Sequence, residues 1–458
     1  MSEPLFQDFE EITAKQWKQK IQYELKGDDY NETLVTKTLH GVNIKPFYHQ
    51  DETRDPINIP TPSHWKIVEK IYVASEDKSN SKARKVLKKG AESLWFIIPS
   101  KTVDIEILFR DINLSKVPVY IGLEFLSTEF LKKLNEYLEN KNHQVRVLVD
   151  IIGNLSRSGN WYIDLRNDHE ILEKFISQAK FPSVLSVDSG LYQNAGATIP
   201  QELAYSIAHA NEYLNHFAEG KSGGFKFEMQ FLVSTRTNYF FEIAKIRALR
   251  LLYATLASEY GVDENCHIIS QPTTRDKTLY DYNVNLLRTT TQCMSAVLGG
   301  TDAIYNTPYD AIYHKNNKFG DRIARNQLLV LKNESYLDKV SNAAEGTYYI
   351  ETLTIELAEK ALKIFKEIEA GGGFMVQLKE GVIQRKIAES AQKEQDMFDN
   401  GELILVGTNK YQNPEDKMKN ELELFPFLKI KPRKTLIQPI LERRLAEGME
   451  KERLENEQ

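Results

Sequence analysis

SGLYQNAGATIPQELAY, residues 189–205, carries the chain out of a β-rich run, through a short polar loop, and into an amphipathic helix. The run before it, SVLSVDS (183–189), is short and largely apolar. The run after it, IPQELAYSIAHANEYLNHF (199–217), has helical periodicity. Thr198 suits an N-cap, and Pro200 falls in the first turn, where a missing N–H costs little. Strand, loop and helix in this order form the repeating unit of parallel α/β folds.

The same unit recurs on both sides. LWFIIP (94–99), VPVYIGLEF (117–125) and VRVLVDII (145–152) precede it. FKFEMQFLV (225–233), CHIIS (266–270), AIYNT (303–307) and ELILVG (402–407) follow it. Near-continuous apolar runs suit strands covered on both faces by helices. This makes eight strands, with 183–189 the fourth. STEFLKKLNEYLEN has cap residues at Ser127 and Thr128. TRTNYFFEIAKIRALRLLYATLASEYG ends on a C-capping Gly261, and ELAEKALKIFKEIEAGGG ends at Gly371. Eight strands alternating with helices predict an α/β fold, a closed (β/α)8 TIM-type barrel. No GxGxxG follows the first strand, so a dinucleotide fold lacks its fingerprint. Gly299–Gly300 and Gly371–Gly373 end helices and read as C-caps, because phosphate loops precede helices.

Outside this repeat, residues 1–90 read as an extended N-terminal arm and linker, 91–430 as the barrel, and 431–458 as a charged C-terminal helix striped by Ile440, Leu441 and Leu445. The segment LHGVNIKPFYHQDETRDPINIPTPSHWKIVEKIY lacks stable periodicity. Its aromatics, with Trp17, Phe47, Tyr48 and Trp65 in the arm as a whole, need a surface to cover, either this barrel or a partner.

The chain has 458 residues, 41% of them hydrophobic and 27% charged, enough for a large core under a solvated surface. A net charge of −6 gives no reason to expect nucleic acid. The basic run Lys78–Lys89 reads as a solvated face. Cys266 and Cys293 are the only two cysteines, too few for a disulfide framework, which fits a reducing, cytoplasmic setting. His267 beside Cys266 has no third ligand at metal spacing. The N-terminus shows no apolar signal region, and no run is long enough to span a membrane.

Several blocks resemble the methylmalonyl-CoA mutases. AGATIPQELAY matches the strand-end loop of that family. FFEIAKIRALRLLYA (240–254), NLLRTTTQCMSAVLGGTDAI (285–304), DRIARNQLLVLKNES (321–335), EGTYYIETLT (345–354), GVNIKPFY (41–48) and ERRLAEGMEKER (442–453) match further blocks in order. The resemblance implies an adenosylcobalamin-dependent interconversion of methylmalonyl-CoA and succinyl-CoA. It also implies two chemical requirements. One is a cobalamin domain carrying D-x-H-x-x-G. The other is an adjacent Tyr–His pair just before the AGAT-like turn.

The gapless match puts Gly190 and Leu191 at the pair's two places. A shift by one residue puts Leu191 and Tyr192 there and still does not rebuild it. The last histidine is His314, so no cobalamin-ligating histidine is expected beyond the barrel, and no C-terminal cobalamin-binding domain with it. The resemblance therefore points to the small, non-catalytic subunit of a heterodimer. The large catalytic subunit would be the partner and would bind the cofactor, with none on this chain. Two alternatives stay open: a split mutase barrel served by a separate cobalamin protein, and a regulatory module that binds a CoA ester. Tyr192, Gln193 and Arg236, which follow strand ends, are candidates for a remnant ligand pocket. Arg247, Arg250, Arg322 and Arg325 lie on helices and suit ion pairs between helices or subunits.

Overall fold

A computed structural model of the chain describes residues 10–52, 57, 59–218, 228–430 and 432–457. Eight parallel strands form one sheet. In chain order they are β1 (Lys66–Tyr72), β2 (Ser93–Ile98), β3 (Val119–Leu123), β4 (Val145–Leu148), β5 (Ser186–Asp188), β6 (Met229–Thr235), β7 (Cys266–Pro272) and β8 (Ala303–Tyr305). Each pairs with the next, β8 pairs back onto β1 through Ala303↔Lys66, and a parallel bridge Val149↔Leu185 joins β4 to β5. The sheet is thus the closed barrel that the repeat predicts. Helices named below are α1 (Ile199–Ala218), α2 (Tyr239–Tyr260), α3 (Val284–Gly299), α4 (Lys318–Asn333), α5 (Tyr348–Ala370) and α6 (Val382–Asp399).

The strand alternation explains the two cores. Leu94, Phe96 and Ile98 of β2 point outward into the main core under the helices. Trp95 of β2, Tyr120 of β3, Leu148 of β4 and Val68 of β1 point inward and pack together along the barrel axis. The helices also end and begin as their sequences require. Thr198 and Gln201 cap α1 reciprocally: Thr198 N donates to Gln201 Oε1 at 2.9 Å, and Gln201 N to Thr198 Oγ1 at 3.4 Å. Gly261 and Gly300 take left-handed conformations at the ends of α2 and α3.

Two strand assignments change. ELILVG (402–407) is a loop, held by Asn409 Oδ1, which accepts from Leu405 N at 2.8 Å, and its Leu405 buries in a satellite cluster with Phe398 and Leu445. The missing strand is β1, inside the segment expected to be an arm. Its sequence, KIVEKIY, reads as too charged for a buried strand because the partners of its charges are remote. Glu69 is 6% exposed and pairs with Arg325 of α4 at 2.9 Å, and Lys70 lies 4.2 Å over the Trp95 ring. The stretch 183–189 therefore supplies the fifth strand, and Arg236 follows the sixth. The start of the expected strand 225–233 lies partly outside the described residues.

The rest of the N-terminal segment packs as a true extension. It carries a helix, Ala14–Glu24, and a small antiparallel pair, Thr36–Lys37 with Asn43–Ile44. Trp65 belongs to the barrel, with its indole N–H donating to Leu337 O at 3.1 Å. Tyr48 packs on Tyr349 of α5, with ring centroids 4.8 Å apart. Trp17 has only Phe47 beside it and stays 51% exposed.

The C-terminal segment also differs from a single helix. Pro439 removes a backbone donor, and the neighbouring backbone bonds to the barrel instead. Leu436 N donates to Gly159 O, Ile440 N to Ser156 O, Arg443 N to Asn194 O and Leu445 N to Arg275 O. A strap of residues 436–445 therefore crosses the rim before the last helix, Glu447–Asn456.

The Glu69–Arg325 pair yields a stability test. Removing one partner strands a buried charge, so Arg325→Met is expected to lower the unfolding free energy by about 3–5 kcal/mol in urea titration. The double variant Glu69→Leu/Arg325→Met is expected to recover most of that loss.

Candidate functional site at the barrel mouth

In a parallel barrel the loops at the C-terminal ends of the strands position functional groups. After β5 the chain turns into a six-residue helix, Ser189–Asn194, every residue of which is buried. Gly190 is needed there. A Cβ at this position would stand 2.6 Å from Ser234 Oγ of β6 and 3.2 Å from Asp188 Oδ1. Leu191 is fully enclosed in the main core.

Tyr192 points away from the mouth, toward α1. Its hydroxyl lies 2.9 Å from His209 Nδ1, and His209 Nε2 lies 2.9 Å from Asp150 Oδ1. Asp150 caps the helix after β4. It accepts from Gly153 N at 2.6 Å, Asp188 N at 2.9 Å and Tyr213 Oη at 2.8 Å. Burial works to raise this carboxyl, but His209 and the two N–H groups outweigh it and hold it below the usual range. Burial also pushes the Tyr192 phenol far upward, so it stays protonated. The chain Tyr192–His209–Asp150 has the types of a proton relay. Its outer end is sealed, because Tyr192 is 0% exposed.

Gln193 and Arg236 are also occupied. Thr273 Oγ1 lies within hydrogen-bonding reach of Gln193 Oε1, at 2.8 Å, and of Asn194 Oδ1, at 2.6 Å. Arg236 binds Asp276 at 2.8 Å and also pairs with Glu394 of α6. Arg275 joins the same cluster through Glu394 Oε2 at 2.7 Å. Burial alone would lower the Arg236 guanidinium, but these carboxylates raise it, and both of its faces are spent on them. The structure therefore separates Tyr192, Gln193 and Arg236 into three different networks.

The polar groups that do face the mouth escaped the sequence reading. Lys70 of β1 sits between Trp95, at 4.2 Å, and Tyr305, at 5.6 Å. Burial lowers its ammonium, partly offset by Asp188 and Glu442. Arg157 pairs with Asp188. Glu442, on the strap, accepts from Asn194 Nδ2 at 2.8 Å. Its residue surface is largely exposed, yet the concave mouth around its carboxyl raises its proton affinity. The mouth thus holds two cations and two anions in mutual balance. Lys70 was hidden with its strand, and Glu442 reaches the mouth only because the strap is extended.

The remaining candidates have structural partners. His267 Nε2 lies 2.9 Å from Tyr120 Oη, and burial lowers its pKa to about 4, so it stays neutral. Cys266 is buried and its thiol is pushed up to about 12. No cluster of metal-ligating side chains occurs among the described residues. Arg247 pairs with Glu351 of α5 at 2.6 Å, and Arg250 with Asp302 at 2.7 Å. Arg322 lies over Phe319 at 5.6 Å.

Residues 97–437 match the methylmalonyl-CoA mutase family. The chain belongs to this family. It is 32% identical to the methylmalonyl-CoA mutase small subunit of Porphyromonas gingivalis, over 90% of this chain and 71% of that protein. It is 29% identical to the small subunit of Streptomyces virginiae, over 83% of this chain and 67% of that protein. The methylmalonyl-CoA mutase large subunit of P. gingivalis is 30% identical over 70% of this chain, which spans 47% of that protein. The mutase barrel is therefore present, with a small-subunit pattern of similarity.

The tight turn after β5 is testable. Gly190→Ala is expected to destabilise the fold by about 1–3 kcal/mol through overpacking against Ser234. Adding Ser234→Ala in the same chain should return more than half of that loss in thermal or chemical unfolding.

Proposed function

We propose that this chain is the non-catalytic small subunit of an adenosylcobalamin-dependent methylmalonyl-CoA mutase, and that it supports a large catalytic subunit. The observation that carries this reading is the turn after β5. Where the family resemblance implies a Tyr–His pair, Gly190 is pressed against Ser234 and Leu191 is enclosed in hydrocarbon. A buried leucine cannot donate to a thioester carbonyl, so this turn offers no electrostatic stabilisation to a reacting acyl group. The one histidine close to this turn, His209, is sealed behind Tyr192 and stacked on Phe374 at 5.6 Å.

The rim does not fit a cobalamin on this barrel. The strap 436–445 lies bonded across Ser156, Gly159, Asn194 and Arg275, on the face where a large planar cofactor needs open access to the mouth. No step of the reaction is assigned to this chain. The cofactor, in this proposal, is carried by the large subunit.

The N-terminal helix supports a pairing role. Ile12, Trp17 and Tyr23 are 52%, 51% and 80% exposed on or next to Ala14–Glu24. An aromatic cluster that its own barrel leaves uncovered suits a partner surface. No described helix is long and apolar enough to cross a membrane.

The direct test is reconstitution. The isolated chain with adenosylcobalamin and methylmalonyl-CoA should show no turnover, and mixing with the larger homologous chain of the same cell should give an active, co-purifying complex. Turnover by this chain with only a free cobalamin-domain protein would overturn the proposal, as would failure to co-purify with any larger mutase chain. Placing histidine at the turn, by Leu191→His, should leave the isolated chain inactive.

A further inference from the structure

Beside the mouth, under the antiparallel pair of the N-terminal segment, lies a cavity of about 220 Å³. Its walls include His40, Thr198, Arg236, Glu242, Ser390 and Glu394. By volume it accommodates about seven waters or one small organic molecule. It is independent of the subunit assignment above.

The electrostatics of its wall are incomplete. Glu242 of α2 is 1% exposed, and its Oε1 has no hydrogen-bond partner. Its Oε2 lies 2.6 Å from Lys245 Nζ, and the same ammonium reaches Glu202 Oε2 at 3.1 Å and Ser234 O at 2.6 Å. One buried lysine thus serves two buried carboxylates. The neighbouring charges offer no remedy. Arg236 and Arg275 are matched by Asp276 and Glu394. His40 is held neutral by burial, its pKa lowered to about 3, with its Nδ1 accepting from Ile199 N at 3.2 Å. Lys37 pairs with Glu32 at 3.0 Å on the surface. The buried set around the cavity is therefore left with one excess negative charge, which a protein interior tolerates poorly.

We propose that this cavity is a binding site for a small primary ammonium group, which donates to Glu242 Oε1 and neutralises the Glu202–Glu242–Lys245 cluster. Such a cation carries three donors, matching the orphaned carboxylate oxygen and the hydroxyls of Thr198 and Ser390 in the same wall. The segment Lys37–His40 forms the roof, so occupancy would also hold the N-terminal extension against the barrel.

A proton competes with the ligand for the same charge deficit. Burial, countered by Lys245 and reinforced by Glu242, raises Glu202 to about 8. Below that pH the cluster is neutralised by the proton, and above it by the cation. The affinity for the cation must therefore rise with pH, by about tenfold between pH 7 and pH 9 for a single competing proton.

Calorimetric titration of the full chain with methylammonium chloride tests this, with sodium chloride as the ionic-strength control. Saturable binding that is about tenfold tighter at pH 9 than at pH 7, with release of about one proton at pH 7, is the expected result. Glu242→Gln should abolish the binding. An equal response to sodium, or undiminished binding by a folded Glu242→Gln variant, would overturn the proposal. If that variant does not fold, the wild-type chain decides alone: absence of saturable binding, or binding without proton release at pH 7, would overturn it.

Discussion

The closure of the barrel rests on Asp150. Between β4 and β5 the sheet has one bridge, Val149↔Leu185, where the other neighbours have two or more paired positions. Asp150 follows directly. Its carboxylate takes the Asp188 N–H across the seam and the Gly153 N–H of its own loop, and Tyr213 of α1 ties it to the outer layer. Gln230 reinforces the seam from β6 by donating to Val147 O at 2.9 Å. A carboxylate accepting several N–H and O–H donors is well solvated by the protein itself. The same geometry draws His209 and Tyr192 inward. The polar residues after β5 are thereby committed to closing the barrel, and none of them lines an open pocket.

This commitment explains what could be read from the chain beforehand. The closed α/β barrel, the cap at Thr198, the C-caps at Gly261 and Gly300, and the membership of the family are all local or block-wise signals, and each is present in the structure. The strand β1 was not legible, because its charges are neutralised by residues far away in sequence: Glu69 by Arg325, and Lys70 by the rings of Trp95 and Tyr305. ELILVG misled for the opposite reason. Its apolar residues serve a small cluster under a loop, and no strand lies beside them. The C-terminal strap reads as part of a helix from its apolar spacing, but its backbone bonds to the rim are invisible to any periodicity.

The site shows a similar division. Gly190 and Leu191 stand out once the loop is aligned to the family, and the packing around them gives the substitution a physical meaning: Gly190 has no room for a side chain, and Leu191 belongs to the core. Tyr192, Gln193 and Arg236 carry chemically suggestive groups, yet each is satisfied by a different neighbour, His209, Thr273 and the Asp276–Glu394 pair. The mouth itself is electrically balanced by Lys70, Arg157, Asp188 and Glu442. On this account the barrel is a scaffold whose polar groups are spent on closure, strap docking and pairing.

Cofactor stoichiometry tests that account most directly. Equilibrium dialysis of adenosylcobalamin against the isolated chain, the large chain and the reconstituted pair should give one bound cofactor per pair and none on this chain. Two cofactors per pair, or saturable binding to the isolated chain, would contradict it.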